Sequence, residues 1–235
     1  MIRFFKNIRL KLASENKVMA YLRYAIGEII LVVIGILIAL QINNWNENRK
    51  QNIAETEFIE GVKKDLTQDK LYIELVLKEM EPRIDAFEPL NNMELSKTHN
   101  KNITSADSLL KIYFTSGERT FYPVSGSFQS AVSGNKLNNY KDKEIIGSII
   151  KLYNSTYSRL IDNGKMLDDR WAYLRKKYIH ESRTGKFNIV DNARFSEIID
   201  DMYYHYLMLQ WYRGLLKNTI IEIDELLKKI NDEIL

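Results

Sequence analysis

Residues 25–42, reading AIGEIILVVIGILIALQI, decide how the rest of the chain is read. Residues 29–40 are non-polar without interruption, and residues 25–27 and Ile42 extend the run around Glu28 and Gln41. Eighteen helical residues span about 27 Å, enough for a bilayer core of about 30 Å with modest thinning. Tyr21 and Tyr24 stand at one edge and Trp45 at the other, where amphipathic rings favour the headgroup level. The basic flank, the aromatic edges and the density of β-branched residues argue against the buried helix of a soluble protein. A cleaved signal peptide fits poorly, because Ala39-Leu40-Gln41 lacks the second small residue of a cleavage site. The run reads as an uncleaved anchor, a transmembrane helix over residues 21–46. Five Lys and Arg residues from Lys6 to Arg23 precede it, and only Arg49 and Lys50 follow closely. That imbalance predicts a cytoplasmic N-terminus and a single pass through the inner membrane, with residues 47–235 forming a periplasmic domain.

Whole-chain averages conceal this division. The protein has 235 residues, 45% of them hydrophobic and 28% charged, with 10 Gly, 3 Pro and no Cys. This is material for one domain with a sizeable core, and it excludes disulfides, Cys-ligated zinc, iron–sulfur clusters and thiol catalysis. The net charge is +3 and the mean hydropathy −0.31. The basic excess lies wholly in residues 1–24, where Arg3, Lys6, Arg9, Lys11, Lys17 and Arg23 face only Glu15. The long remainder is balanced, so the folded part carries no charge signature of nucleic-acid binding.

Residues 24–47, YAIGEIILVVIGILIALQINNWNE, resemble the opening signature of an uncharacterised bacterial family of single-span envelope proteins. The short basic, Phe-containing start MIRFFKNIRLKL resembles the same family. So does the block Phe121-Tyr122-Pro123, Ser127-Phe128 and Ser133-Gly134-Asn135-Lys136-Leu137. The resemblance implies one membrane crossing followed by a mostly helical domain. It implies no activity, because the family is a domain of unknown function.

Residues 1–20 form a basic segment. On a helical wheel Phe4, Phe5, Ile8 and Leu12 share one arc, with Arg3, Lys6, Asn7 and Lys11 opposite. Two readings stand: an amphipathic helix in the cytoplasmic headgroup layer, held by membrane lipid, or a flexible flank that only sets topology. Within the span, Glu28, Val32, Gly35 and Ala39 share a face, and Gly35-x-x-x-Ala39 is a small-residue pair that permits close helix approach. The face predicts packing against a second copy of the chain or another membrane protein. The plainer alternative has Glu28 snorkelling or pairing with Arg23, and a proton-relay role lacks a second ionisable group within the span.

Beyond the span, three long stretches carry helical period. One runs from about residue 48 to 81, ending at Pro82, with Ile59, Val62, Leu66, Ile73, Val76 and Met80 on one face and Asp69 as the exception. The next runs from about 142 to 181, with Gly164 in its apolar register as a close-packing point. The last runs from about 194 to 234, its stripe including Ile199, Met202, Tyr206, Leu209, Leu216, Ile220, Ile223 and Leu227, interrupted by Arg213. The expected fold is all-α, a transmembrane helix followed by a bundle of three long helices plus short ones over residues 105–114 and 125–133. A parallel coiled-coil oligomer is the alternative. Ser or Thr caps are expected to open the short helices, and Gly134 to stop the second.

No P-loop, H-E-x-x-H, G-x-S-x-G or dinucleotide-binding glycine pattern is present, so no catalytic, cofactor or metal residues are assigned. His180 reads as a helix-end residue. His205 sits in an aromatic-rich turn that reads first as core. The sharper reading has a ligand pocket lined by Phe121, Tyr122, Phe128, Tyr206 and Trp211, with Phe114 nearby. Asp168-Asp169 and the acidic residues around Asp224 read as solvated faces. The expected function is interaction rather than catalysis, as a scaffold or accessory subunit of an envelope complex. A small-molecule sensor signalling through a partner is the second reading, and an enzyme of unrecognised type the third.

Overall fold

The computed structural model describes residue 7 and residues 18–93, 99–189 and 191–234. Every regular element among them is helical: α1 (Val18–Asn91), α2 (His99–Thr115), α3 (Gly126–Ser133), a 3-10 turn (Leu137–Asn139), α4 (Lys143–Lys151), a π-helical turn (Leu152–Tyr157), α5 (Ser158–Lys177), α6 (Ile179–Thr184) and α7 (Asn192–Ile234). The chain divides into two compact units, one ending at Glu55 and the other opening at Thr56.

The first unit contains the N-terminal half of α1. Its large apolar side chains from Leu22 to Ile42 are exposed, with Ile29, Leu31 and Ile42 each more than 60% accessible. Its most apolar window of 18 residues has no buried member, and by length and composition the helix can cross a membrane. The basic segment, with Arg3, Phe4, Phe5, Lys6, Ile8, Lys11 and Leu12, lies outside the described residues.

In the second unit α1 carries an unbroken 3–4 stripe of buried residues: Ile59, Val62, Leu66, Asp69, Ile73, Val76, Met80, Arg83, Phe87 and Leu90. The sequence places the helix end at Pro82, yet α1 runs through both Pro82 and Pro89. An interior proline costs about 3 kcal/mol through its missing N–H and its ring. Burial of Ile84, Phe87 and Leu90 beyond Pro82, each contributing about 1.5–3 kcal/mol, offsets it.

The second long stretch is not one helix. It is α4, the π turn, α5 and α6, with a break at Tyr178, whose φ of −111° and ψ of 27° depart from helical values. Its apolar register nonetheless holds from Ile146 to Tyr178, with Leu152, Tyr153 and Tyr157 of the π turn all buried. In α7 the buried face is turned from the expected one. Ile198, Met202, His205, Leu209, Tyr212, Leu216, Thr219, Ile223, Leu226 and Ile230 are buried at strict 4–3 spacing, while Tyr206, Ile220 and Leu227 are half-buried flanks. Arg213 therefore interrupts nothing, since Tyr212 holds that position.

α1 and α7 run antiparallel, Lys70 binding Asp224 and Tyr206 donating to Glu88. α5 and α7 also run antiparallel: Trp211 donates to Asn163, Arg170 to the Asp201 carbonyl and Lys177 to Glu197. The short elements differ from expectation in detail. α2 begins at His99, leaving Ser105 inside it. Ser125 makes no side-chain cap; its hydroxyl accepts from Gln129 instead. Gly134 does stop α3, its N–H bonding the Ser130 carbonyl, while the residue with positive φ is the next one, Asn135 (φ 49°), and Lys136 N–H closes the turn on the Ala131 carbonyl.

Between α2 and α3 the chain is non-helical, and the buried Thr120 and Phe121 carry it into the interior. Buried backbone polar groups require partners, and here side chains supply them. Phe121 N–H donates to the Tyr212 hydroxyl, Val124 N–H to Asp69 and Ser127 N–H to Asp65. The Thr120 and Val124 carbonyls accept from the hydroxyls of Tyr72 and Tyr153. Gly164 gives this segment room, since a Cβ there would stand 3.1 Å from both Thr120 Cβ and the Tyr212 hydroxyl oxygen.

Candidate functional site

Continuing the α1 register past Pro82 puts a guanidinium where the pattern demands an apolar side chain. Arg83 is fully buried. Its Nε donates to the Tyr113 carbonyl at 2.9 Å and one Nη to the Ser116 carbonyl at 2.7 Å. It thereby satisfies carbonyls at the C-terminal end of α2. The other Nη donates to Glu118, whose side chain is only 4% exposed. The guanidinium also lies 3.9 Å from the centre of the Trp171 ring, a close cation–π contact.

His205 joins from α7. Its Nδ1 lies 2.8 Å from the Tyr113 hydroxyl, its Nε2 lies 3.5 Å from Glu118 Oε2, and its ring stacks on Trp171 at 5.2 Å. These contacts fit the tautomer protonated on Nε2, with Nδ1 accepting from the tyrosine. Burial pulls the imidazole pKa below its usual value, against the pull of Glu118, and raises that of Tyr113. Burial also lowers the Arg83 pKa, opposed by Glu118. Glu118 Oε1 is buried with no hydrogen-bond partner.

Beside this cluster a cleft of about 520 Å³ opens between the end of α2 and the faces of α5 and α6. Glu118 and Trp171 belong to both the cluster and the cleft, Phe114 stacks on Trp171, and Asp168, Arg175 and Ile179 are among the other lining residues. Asp168 is half-buried and accepts from the Thr120 hydroxyl at 3.0 Å, so it is not a simply solvated residue. Burial raises its pKa, the Thr120 bond opposes the rise, and the neighbouring charges of Glu118 and Asp169 add to it.

A second acidic site holds the interior segment. Asp69 is buried, its carboxyl pushed up to about 6 by burial, with the Val124 N–H pulling the other way. The Tyr157 hydroxyl neighbours this carboxyl and lowers its pKa, while Tyr157 Oη and Asp69 Oδ2 make no well-formed hydrogen bond.

The aromatics expected to line one pocket do not meet. Phe121 is buried against Tyr72 and Tyr157, and Phe128 stacks on Tyr153 at 4.4 Å. Tyr206 stacks on Phe87 at 4.4 Å. Tyr122 and Trp211 are exposed, the latter under Arg159. Only Phe114 of the wider set reaches the cleft. Arg83 and Glu118 escaped the sequence reading, although extending the 3–4 register across Pro82 selects Arg83 directly.

In the first unit, Val32 is exposed, Glu28 is half-buried, and a Cβ on Gly35 would meet nothing within 4 Å, so the Gly35–Ala39 face stands open. Tyr24 and Trp45 are exposed, and Tyr21 lies within α1. Among the described residues no group of three or more His, Asp and Glu is placed to hold a metal ion.

Comparison with curated proteins and with solved structures gave no match. A family of unknown function, DUF6090, matches residues 28–208, taking in the apolar run from Glu28 onward and the whole interior segment. The chain belongs to the DUF6090 family.

Proposed function

We propose that this protein is a single-pass anchor of the bacterial inner membrane that presents a helical periplasmic domain and acts by interaction, as a scaffold or accessory subunit of an envelope complex. Residues 1–20 form the cytoplasmic segment on the lipid surface, 21–46 cross the bilayer, and 47–235 form the domain. The observation that carries this reading is the exposure of every large apolar side chain described from Leu22 to Ile42. A continuous apolar surface of this length requires an apolar medium. The lysine and arginine excess before the span supports the orientation. The open Gly35–Ala39 face supports helix–helix contact with a second copy or another membrane protein.

Reporter fusions after residues 20 and 60 test the topology. A cytoplasmic signal at the first and a periplasmic signal at the second are expected, and a cytoplasmic signal at both overturns the reading. Purification in mild detergent with mass spectrometry of co-eluting proteins tests the scaffold role, and recovery of a lone monomer rejects it.

A further inference from the structure

The cleft at the end of α2 is more than a surface groove, because a buried carboxylate stands in its wall with one oxygen unused. Oε2 of Glu118 is already engaged by Arg83, with His205 beside it, whereas Oε1 is buried and has no hydrogen-bond partner. An unsatisfied buried acceptor is costly, and more so when charged, so a donor that meets Oε1 after a small shift of the Glu118 side chain is stabilised by pairing. Three further features fix what kind of donor. Asp168 lines the same cleft and is close enough for the Glu118 charge to raise its pKa, so a cation placed between the two relieves their repulsion. The C-terminal end of α2 borders the cleft at Phe114 and Thr115, and the carbonyls there that Arg83 does not engage add partial negative charge. The rest of the wall mixes apolar side chains, Phe114, Trp171 and the exposed Ile179, with the polar Thr115, Ser116 and Ser182.

The geometry points to a binding site for a small organic ammonium ion, its nitrogen donating to Glu118 and Asp168 and its apolar body lying against Phe114, Trp171 and Ile179. Arg83 does not repel such a ligand as a bare charge, since Glu118 and two carbonyls already engage its guanidinium. Among the described residues lining the cleft Arg175 is the other cation, at the exposed end of the α5 face. A ligand drawn to Arg175 instead would be an anion, and the choice between the two is open to measurement. The cleft volume suits a ring with a short side chain rather than a polymer.

The test uses the full chain in mild detergent and three probes of matched shape: phenethylamine, 2-phenylethanol and 3-phenylpropionate, titrated by calorimetry. The amine is expected to bind at least about tenfold more tightly than the alcohol, about 1.4 kcal/mol, with the carboxylate no tighter than the alcohol. Asp168→Asn is expected to weaken the amine about fivefold or more while leaving the thermal unfolding midpoint nearly unchanged. Glu118→Gln should weaken it too, and Asp168→Asn carries the test if that variant folds poorly. Equal binding of amine and alcohol overturns the proposal and leaves an ordered water as the partner of Glu118. Preference for the carboxylate overturns it in favour of an anion at Arg175. Indifference of amine binding to Asp168→Asn overturns the assignment of the nitrogen. None of these results bears on membrane topology, so the two readings fail independently.

Discussion

Gly164 on α5 faces Tyr212 on α7 across a gap that a methyl group enters only if a neighbour gives way by a few tenths of an ångström. A Cβ at Gly164 would stand 3.1 Å from the Tyr212 hydroxyl oxygen, the same oxygen that accepts Phe121 N–H at 2.8 Å. The Tyr212 hydroxyl oxygen thus lies at the close approach of the two helices and also makes one of the hydrogen bonds that hold the interior segment.

Gly164→Ala is therefore expected to destabilise the domain, even though Ala gains about 1 kcal/mol of helix propensity over Gly. Overpacking costs about 1–3 kcal/mol, and here the displaced atom also loses a hydrogen bond. The net loss should be about 1 kcal/mol or more, read as a lowered midpoint in denaturant unfolding. Gly147→Ala, where a Cβ meets nothing within 4 Å, should be stabilising.

Removing one member of the Arg83–Glu118 pair leaves the other buried and uncompensated. Arg83→Met should cost about 3–5 kcal/mol. The double variant Arg83→Met/Glu118→Leu should recover a large part of that loss, since paired apolar replacements of buried ions are often neutral. A double-mutant cycle on unfolding free energies measures the coupling, and additive losses would argue against the pairing.

Two buried groups give the stability opposite slopes with pH. Asp69 has its carboxyl raised from 3.8 to about 6 in the folded state. Its protonated form is favoured by folding, so its contribution is full below pH 3.8 and is lost as pH rises through about 6. His205 is shifted below its usual 6.5, so its contribution is full above 6.5 and is lost as pH falls. Asp69→Asn should raise stability at pH 7 relative to pH 4, by about 1 kcal/mol or more. Nitrogen shifts of His205 should show its ring taking up a proton only at a lower pH than a free imidazole does.

Gly35→Ile should change the set of proteins that co-purify in mild detergent, or the oligomeric state of the chain. The substitution fills the open small-residue face of the span while adding apolar surface, so insertion is preserved. Unchanged partners and unchanged size on a sizing column would reject helix packing through this face.

The class of the fold was legible because heptad-like spacing survives every local irregularity. Ile59 to Leu90 keep their 3–4 rhythm through two prolines, and Ile146 to Tyr178 keep theirs through a π turn. What misled was local punctuation weighed above that rhythm. Pro82 read as a stop hid Arg83, and preference for apolar residues in α7 hid Tyr212 and Thr219, both fully buried. The cleft was not legible at all. Glu118 lies in a non-helical turn, and its relation to Arg83, 35 positions earlier, exists only in three dimensions.

The interior segment between α2 and α3 has a consequence for the order of folding. Amides inside a helix are protected as soon as their own turn forms, but the amides of Phe121 and Val124 find their acceptors on α7 and α1. Those acceptors lie 55 to 91 positions away for Phe121 and Val124, so loop closure must precede protection. Slow hydrogen exchange at these amides would therefore report assembly of the whole domain, and their release would mark its global opening rather than the fraying of any helix.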